Sequence, residues 1–245
     1  MIIYLLLVGN HHEFSISLKR SNHMRIGIIG AGFIGRAVAT LLLAAGHEVL
    51  LSNSRGPESM SGVLIDIPGS QVGTIEDASK FGEVVLVAIP FRRYLSLSAE
   101  WLDGKIVLDA NNYYPDRDGQ IGVLDRLEKT TSRLIADHLR GSKVVKLFNA
   151  ILAEDLTRDS RPKGAPDRRA LPVAADDSTA KQLVISLLDE IGFDAVDAGK
   201  LDESWRFERA KPAYCIPLNK RDLIVALALA DRVAELPDGS WRRGA

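Results

Sequence analysis

The feature that most constrains the fold is a glycine-rich turn, Gly30-x-Gly32-x-x-Gly35, between two apolar runs. The first run, Arg25–Ile29, is typical of a buried strand, and residues 33–45 are typical of a helix. The first glycine makes a tight turn, the second lets a pyrophosphate approach the backbone, and the third lets the helix pack on the strand. Because the helix also points free amides at the loop, the segment predicts a dinucleotide site that includes Phe33 and Ile34.

Strand and helix patterns alternate along the rest of the first two thirds of the chain. Further strands are predicted at 48–52, 83–89, 105–110 and 143–148, and helices at 58–65, 75–80, 94–102 and 131–139. Short, continuous apolar strands separated by helices indicate a parallel sheet covered on both faces. We therefore predict an α/β fold with a Rossmann-type, doubly wound parallel sheet over residues 24–156.

The pattern changes after residue 156. Residues 157–169 are polar and contain two prolines and a glycine, so they predict a loop. A strand at 170–175, a helix at 178–191, a strand at 193–196 and an apolar helix near 218–236 follow. Residues 157–245 are thus predicted to form a small C-terminal α/β region. Residues 1–23 are predicted to be a poorly anchored extension, too short in apolar residues to span a bilayer.

Composition excludes several classes of protein. The 245 residues carry a formal charge of −1, whereas a general nucleic-acid-binding protein has a basic excess. One cysteine excludes an internal disulfide and a site of several thiolates, and it fits a reducing cytoplasm. We expect a cytoplasmic protein with no metal, no nucleic-acid partner and no membrane association.

The end of the second strand indicates which dinucleotide binds. An NAD site has an acidic residue there for the ribose 2′-hydroxyl, but residues 49–57 contain none. The sequence is instead Ser52-Asn53-Ser54-Arg55. A guanidinium and hydroxyls can bind a 2′-phosphate, which a carboxylate would repel. These four residues predict NADP.

Other strand ends complete the predicted site. Ala88, Ile89 and Pro90 are suited to lie against the ribose and nicotinamide, and Asn111 and Asn149 are placed to contact the nicotinamide end. No histidine, lysine or tyrosine falls where an alcohol dehydrogenase needs its base. Direct hydride transfer between two ring cofactors needs mainly alignment of the rings, so this chemistry fits better.

These motifs give the chain a resemblance to the F420-dependent NADP reductase family, in its bacterial branch. Residues 24–214 carry it through IGIIGAGFIG, SNSR, LVAIPF, VLDANNYYPDRDG, VVKLFNAI, RALPVAADD and GFDAVDAGKLDESWRFE. The resemblance implies NADP as cofactor, the deazaflavin F420 as second substrate, a C-terminal region that closes over it, and a homodimer. It also implies that Asn149 stands where the two rings meet.

The second substrate stays open at this point. Trp205 and Phe207 are predicted to cover the second ring, and Arg168 and Arg169 to attract the anionic tail of F420 from a flexible loop. The loop GAGFIG departs from the GGTG-type loop of archaeal members, so a flavin or a ferric chelate is an alternative acceptor. A hydroxyacid or imine reductase would need a long all-helical C-terminal domain, which the strand-rich tail disfavours. A non-catalytic NADP-binding sensor is the remaining alternative.

Overall fold

The computed structural model describes residues 23–237 and 239–240. Of the predicted extension, residues 1–22 therefore lie outside the described residues. The strands are β1 Arg25–Ile29, β2 Glu48–Ser52, β3 Gln71–Gly73, β4 Val84–Val87, β5 Ile106–Asp109, β6 Lys143–Lys146, β7 Ala170–Ala175 and β8 Asp194–Asp197.

Helices connect most of these strands. They are α1 Phe33–Ala44, α2 Ser61–Asp66, α3 Ile75–Phe81, α4 Ala99–Leu102, α5 Pro115–Asp118, α6 Gly122–Asp125, α7 Thr131–His138, α8 Ala153–Asp159, α9 Ser178–Glu190 and α10 Lys220–Ala228. Short 3₁₀ helices occupy Pro57–Met60, Phe91–Ser96 and Leu201–Phe207.

The sheet has the strand order β3-β2-β1-β4-β5-β6-β7-β8. The first six strands are parallel, in the 3-2-1-4-5-6 order of a dinucleotide-binding fold. β7 joins β6 in antiparallel orientation, and β8 pairs with β7 in parallel orientation. The predicted fold class is confirmed. The boundary between residues 156 and 157 stays a prediction, although one sheet continues across it.

Both faces of the sheet are covered, as the continuous apolar strands require. Val84 and Leu86 of β4 belong to one core cluster, together with residues of α1 and α9. Val85 and Val87 point the other way, into a second cluster with α3 and α7. Alternate residues of a strand face opposite sides of the sheet. Because both sides are covered here, all four residues are buried. Ligands of such a sheet bind beyond the carboxyl ends of the strands.

Some predicted elements differ from the observed ones. The strand β3 was missed because it has only three residues, too few for a periodic signal. The helix predicted at 94–102 is divided into a 3₁₀ helix and α4, where Ser98 caps α4 by accepting the Trp101 amide. The helix predicted near 218–236 is only Lys220–Ala228. In the described part of the chain, no helix has the length and apolar character to cross a membrane.

Candidate functional site

The glycine loop after β1 has the geometry that its spacing predicts. Gly30 has a φ of 118°, and a Cβ there would lie 2.2 Å from the Ala88 carbonyl oxygen. A Cβ on Gly35 would lie 2.0 Å from the Gly30 carbonyl oxygen. A Cβ on Gly32, in contrast, would meet no atom within 4 Å. Gly30 and Gly35 are therefore packed against the backbone of the protein, whereas the space next to Gly32, at the N-terminus of α1, is open.

Three of the four predicted residues in the turn after β2 line a cavity: Asn53, Ser54 and Arg55. The Asn53 side chain organises the turn: its Oδ1 accepts the Arg55 amide at 2.8 Å, and its Nδ2 donates to Ser59 Oγ at 2.9 Å. Ser54 and Arg55 are exposed and line a cavity. The prediction for Ser52 is wrong, because this residue is fully buried and its hydroxyl donates to the Ile28 carbonyl oxygen at 3.0 Å.

A cavity of about 370 Å³ joins the glycine loop, this turn and the end of β4. Ala88, Ile89 and Pro90 line it, and their contact with the ribose and nicotinamide stays a prediction. Arg92 and Arg93 also line it and were missed. The signal was available, since the pair follows Pro90-Phe91 in IPFRRY. No carboxylate is among the described residues that line this cavity, so its charge is positive.

Two asparagines mark the ends of β5 and β6. Asn111 Oδ1 accepts the Ile89 amide at 2.9 Å, and Asn149 Nδ2 donates to the Phe207 carbonyl oxygen at 2.9 Å. Asn112, which was not singled out, donates to the Asn149 carbonyl oxygen at 2.8 Å. Among the described residues, Asn111 Nδ2 and Asn149 Oδ1 are buried and have no hydrogen-bond partner. Such atoms are costly to leave unpaired.

A second cavity, of about 430 Å³, lies between the segment after β5 and the C-terminal region. Its lining includes Tyr113, Thr131, Trp205, Glu208, Arg209 and Arg232. The Arg206 and Arg232 guanidinium groups lie 5.6 and 5.4 Å from the centre of the Trp205 ring. Lys211 Nζ donates to the carbonyl oxygens of residues 231, 232 and 234, which holds this segment at the cavity rim.

Three predicted contacts with the second substrate are wrong. Phe207 is fully buried in the core of the C-terminal region, so its ring cannot cover a ligand. Arg168 and Arg169 are each only 4% exposed. Arg168 pairs with Asp189 at 2.7 Å and Asp194 at 2.9 Å, and Arg169 pairs with acids of α8 at 2.8 and 2.6 Å. Both arginines therefore form ion pairs within the protein.

The ion pairs of Asp189 predict a dependence of stability on pH. Lys163, at 2.6 Å, holds the pKa of Asp189 below its ordinary value of 3.8, and Arg168 adds to the effect. A lowered folded-state pKa gives stability that is present above 3.8 and lost as the pH falls through the folded-state pKa. We expect Asp189→Asn to lower the free energy of unfolding by about 0.5–1 kcal/mol at pH 7. In urea titrations this difference should vanish at low pH, and a constant difference would contradict the assignment.

The remaining unusual groups do not supply a nucleophile or base. Burial raises the pKa of the Cys215 thiol to about 12, so it is not a thiolate at neutral pH. Burial also raises the pKa of Tyr214, whose hydroxyl is 2.5 Å from that of Tyr114. Neither Cys215 nor Tyr214 is therefore a nucleophile or base at neutral pH.

The first cavity fits NADP. Its loop is open where a pyrophosphate approaches the backbone, and the N-terminus of α1 gives amides to an anion. Arg55 and Ser54 are free to face a 2′-phosphate at the end of β2, with no carboxylate to repel it. Asn111 and Asn149 are not among the described residues that line this cavity, so their contact with the nicotinamide end stays a prediction.

Comparisons with known proteins define the class. Metalloreductase STEAP3 of Rattus norvegicus is 30% identical over 84% of this chain and 40% of its own. The structure of a hypothetical protein of Sinorhizobium meliloti is 29% identical, with a TM-score of 0.71 over 82% of this chain and 98% of its own. A candidate F420-dependent NADP-reductase of Arthrobacter sp. FB24 is 27% identical, with a TM-score of 0.63 over 73% of this chain and 86% of its own. The class is that of Rossmann-fold, NADP-dependent oxidoreductases.

The first five strands match a known family. Residues 25–113 match the model of the coenzyme F420-dependent NADP oxidoreductases. The match confirms the resemblance over this part of the chain, whereas the bacterial branch stays a prediction. The chain spans less than two thirds of the length of the curated relatives that it matches.

Proposed function

We propose that the chain transfers hydride between NADP(H) and a second ring cofactor, and that this cofactor is the deazaflavin F420. The observation that carries the proposal is a positively charged, carboxylate-free dinucleotide cavity together with a second cavity that contains an exposed part of Trp205. The family description and the Arthrobacter relative support F420 as the partner. The bound nicotinamide supplies the hydride.

The residues of this chain bind and orient in this proposal. Gly32 and the N-terminus of α1 receive the pyrophosphate, while Ser54 and Arg55 bind the 2′-phosphate. Asn111 would act on the nicotinamide through Ile89, whose amide its Oδ1 accepts, and Asn149 would lie where the two rings meet. Phe33, 87% exposed at the start of α1, would screen the phosphates from water.

The second cavity would take the acceptor. Trp205 lines this cavity, and the Arg232 guanidinium that lies over its ring would move aside for a stacked acceptor. The basic residues of the lining outnumber its acids and replace the buried Arg168 and Arg169 as the source of positive charge: Lys129, Arg209, Lys211 and Arg232 against Asp125, Glu208 and Glu235. Coenzyme F420 has a phosphate and a glutamate tail, which two guanidinium groups at a rim would attract. Rates with F420 should therefore fall as salt rises, because exposed charges are screened over about 10 Å at 0.1 M.

The second candidate function is reduction of a ferric chelate or a flavin. The observation in its favour is the similarity to metalloreductase STEAP3 over 84% of this chain. In the described part of the chain, no group of three or more histidine, cysteine, aspartate or glutamate side chains is placed to hold a metal ion. A ferric substrate would then have to enter as a chelate.

The test compares acceptors with one preparation. NADPH oxidation is followed with F420, FMN and a ferric chelate under identical conditions. Reduction of F420 with little reduction of the others supports the proposal. Equal or faster reduction of FMN or ferric chelate would replace it with the second candidate. NADPH binding without turnover on any acceptor would favour the NADP-binding sensor.

Trp205 gives a prediction for the second cavity. We expect Trp205→Ala to lower kcat with the ring acceptor about 2- to 13-fold, because an aromatic stacking contact contributes about 0.5–1.5 kcal/mol beyond its buried area. The Kd for NADPH should stay unchanged. Trp101, on α4, offers a matched control, and Trp101→Ala should leave kcat unaffected. A Trp205→Ala variant with the kcat of the unaltered protein would contradict the stacking role.

The predicted homodimer and cytoplasmic location remain proposals. Ile224, Val225 and Leu229 leave an apolar face of the α10 segment exposed, which is compatible with self-association. Light scattering at several concentrations would measure the assembly. A monomer throughout would contradict the dimer.

A further inference from the structure

A buried ion pair lies at the ends of β5 and β6. The side chains of Lys146 and Asp109 have no exposed surface, and Lys146 Nζ donates to Asp109 Oδ2 at 3.1 Å. The ammonium also donates to Thr131 Oγ1 at 3.0 Å and to the Asn111 carbonyl oxygen. Its three protons are therefore all used inside the protein. Ser132 completes the cluster by donating to Asp109 Oδ2 at 2.5 Å.

Stability alone explains this pair poorly. Removing two charges from water costs about as much as their mutual attraction returns, and well-packed apolar residues often replace such a pair without loss. The pair does, however, fix the direction of several hydrogen bonds. We therefore expect the pair to act on the backbone segment to which it is hydrogen-bonded.

Both members of the pair hold Asn111. Asp109 Oδ1 accepts the Asn111 amide at 2.9 Å, and Lys146 donates to the Asn111 carbonyl oxygen. The side chain of Asn111 is then committed to one orientation, in which its Oδ1 accepts the Ile89 amide at 2.9 Å. Ile89 and Pro90 form a wall of the dinucleotide cavity. A continuous set of hydrogen bonds thus runs from the ion pair to that wall.

We infer that Lys146, together with Asp109, is a positioning residue that fixes the Ile89–Pro90 wall through Asn111 and so orients the nicotinamide ring. Lys146 would contact neither ring cofactor, since its side chain has no exposed surface. The inference rests on the proposed function, because it takes the nicotinamide to lie against Ile89 and Pro90.

The test removes the pair without leaving a buried charge. In Asp109→Asn/Lys146→Met, the asparagine still accepts the Asn111 amide, but the carbonyl oxygen of Asn111 loses its donor. We expect NADPH to bind within about threefold of its original Kd, because the phosphate contacts are intact. The fluorescence anisotropy of the bound nicotinamide should fall, and kcat should fall about 10- to 100-fold, since a shift of about 1 Å in a reacting group can have that effect. Asn111→Ser, which removes only the acceptor for Ile89, should give the same two losses.

A variant that combines all three substitutions distinguishes an effect on positioning from a nonspecific loss of structure. If the pair acts through Asn111, adding Asn111→Ser to the double variant should lower anisotropy and kcat no further. Additive losses would overturn the inference, as would unchanged anisotropy in Asn111→Ser, a result that stands even if the double variant does not fold. Anisotropy needs no acceptor, so failure to reduce F420 would count against the proposed function alone. No binding of NADPH by the unaltered protein would overturn both.

Discussion

Gly32→Ala is expected to weaken NADPH binding by about 10²-fold or more while leaving the Tm unchanged. The backbone at Gly32 is extended, with a φ of −81°, so alanine fits it without strain. Its methyl group would meet no protein atom within 4 Å. The space it fills is where we propose that the pyrophosphate approaches the amides of α1. Loss of at least two charge-assisted hydrogen bonds, at about 1.5–3 kcal/mol each, gives this magnitude.

Gly35→Ala is the matched variant on the same loop. Its methyl group would lie 2.0 Å from the Gly30 carbonyl oxygen, so the helix or the loop has to move. Overpacking costs about 1–3 kcal/mol, which lowers the Tm by roughly 2–12 °C in a chain of this size. Thermal unfolding and NADPH titration of both variants make the comparison. Unchanged NADPH binding in Gly32→Ala would show that the open space next to Gly32 is not a ligand site.

The parts of the fold and site that depend on local sequence were predictable. The glycine loop, the turn at Ser54 and Arg55, and the wall at Ile89 and Pro90 each follow from a strand end and the residues directly after it. In a parallel sheet all such ends meet at one edge, so separate motifs converge without knowledge of the tertiary contacts. The same logic would have found Arg92 and Arg93 two residues further on.

The wrong predictions concern residues whose partners lie far away in the sequence, so local sequence does not show these contacts. The basic residues of 158–169 suggested a positive surface, yet Arg168 and Arg169 turn inward to acids 10 to 26 positions away. Charge counts do not show which side chains find buried partners. Phe207 was misassigned for a similar reason, because an aromatic residue in an irregular stretch packs into a core as readily as it covers a ligand.

Arg55→Ala is expected to change cofactor choice. A guanidinium bound to the 2′-phosphate contributes about 1.5–3 kcal/mol, so its removal should weaken NADPH binding roughly 10- to 150-fold. NADH has no phosphate at that position, and its Kd should change less than about twofold. Because Arg55 is exposed, salt screens the attraction, and the difference between the two proteins should narrow as ionic strength rises. Fluorescence titration with each nucleotide measures all four constants.

Two further variants show whether Arg55 binds the 2′-phosphate directly. Arg221, exposed on α10 and far along the chain from the cavity, serves as the control, and Arg221→Ala should bind both nucleotides normally. Arg93→Ala tests the neighbouring charge, which lines the same cavity from the end of β4. If its positive charge only adds to the general attraction for phosphate, binding of NADPH and binding of NADH should weaken by similar factors.

Equal losses of affinity for NADPH and NADH in Arg55→Ala would instead mean that Arg55 supports the turn, whose Asn53 side chain accepts the Arg55 amide. Selection for NADP would then rest on the absence of a carboxylate at the end of β2 rather than on a guanidinium placed to bind the 2′-phosphate.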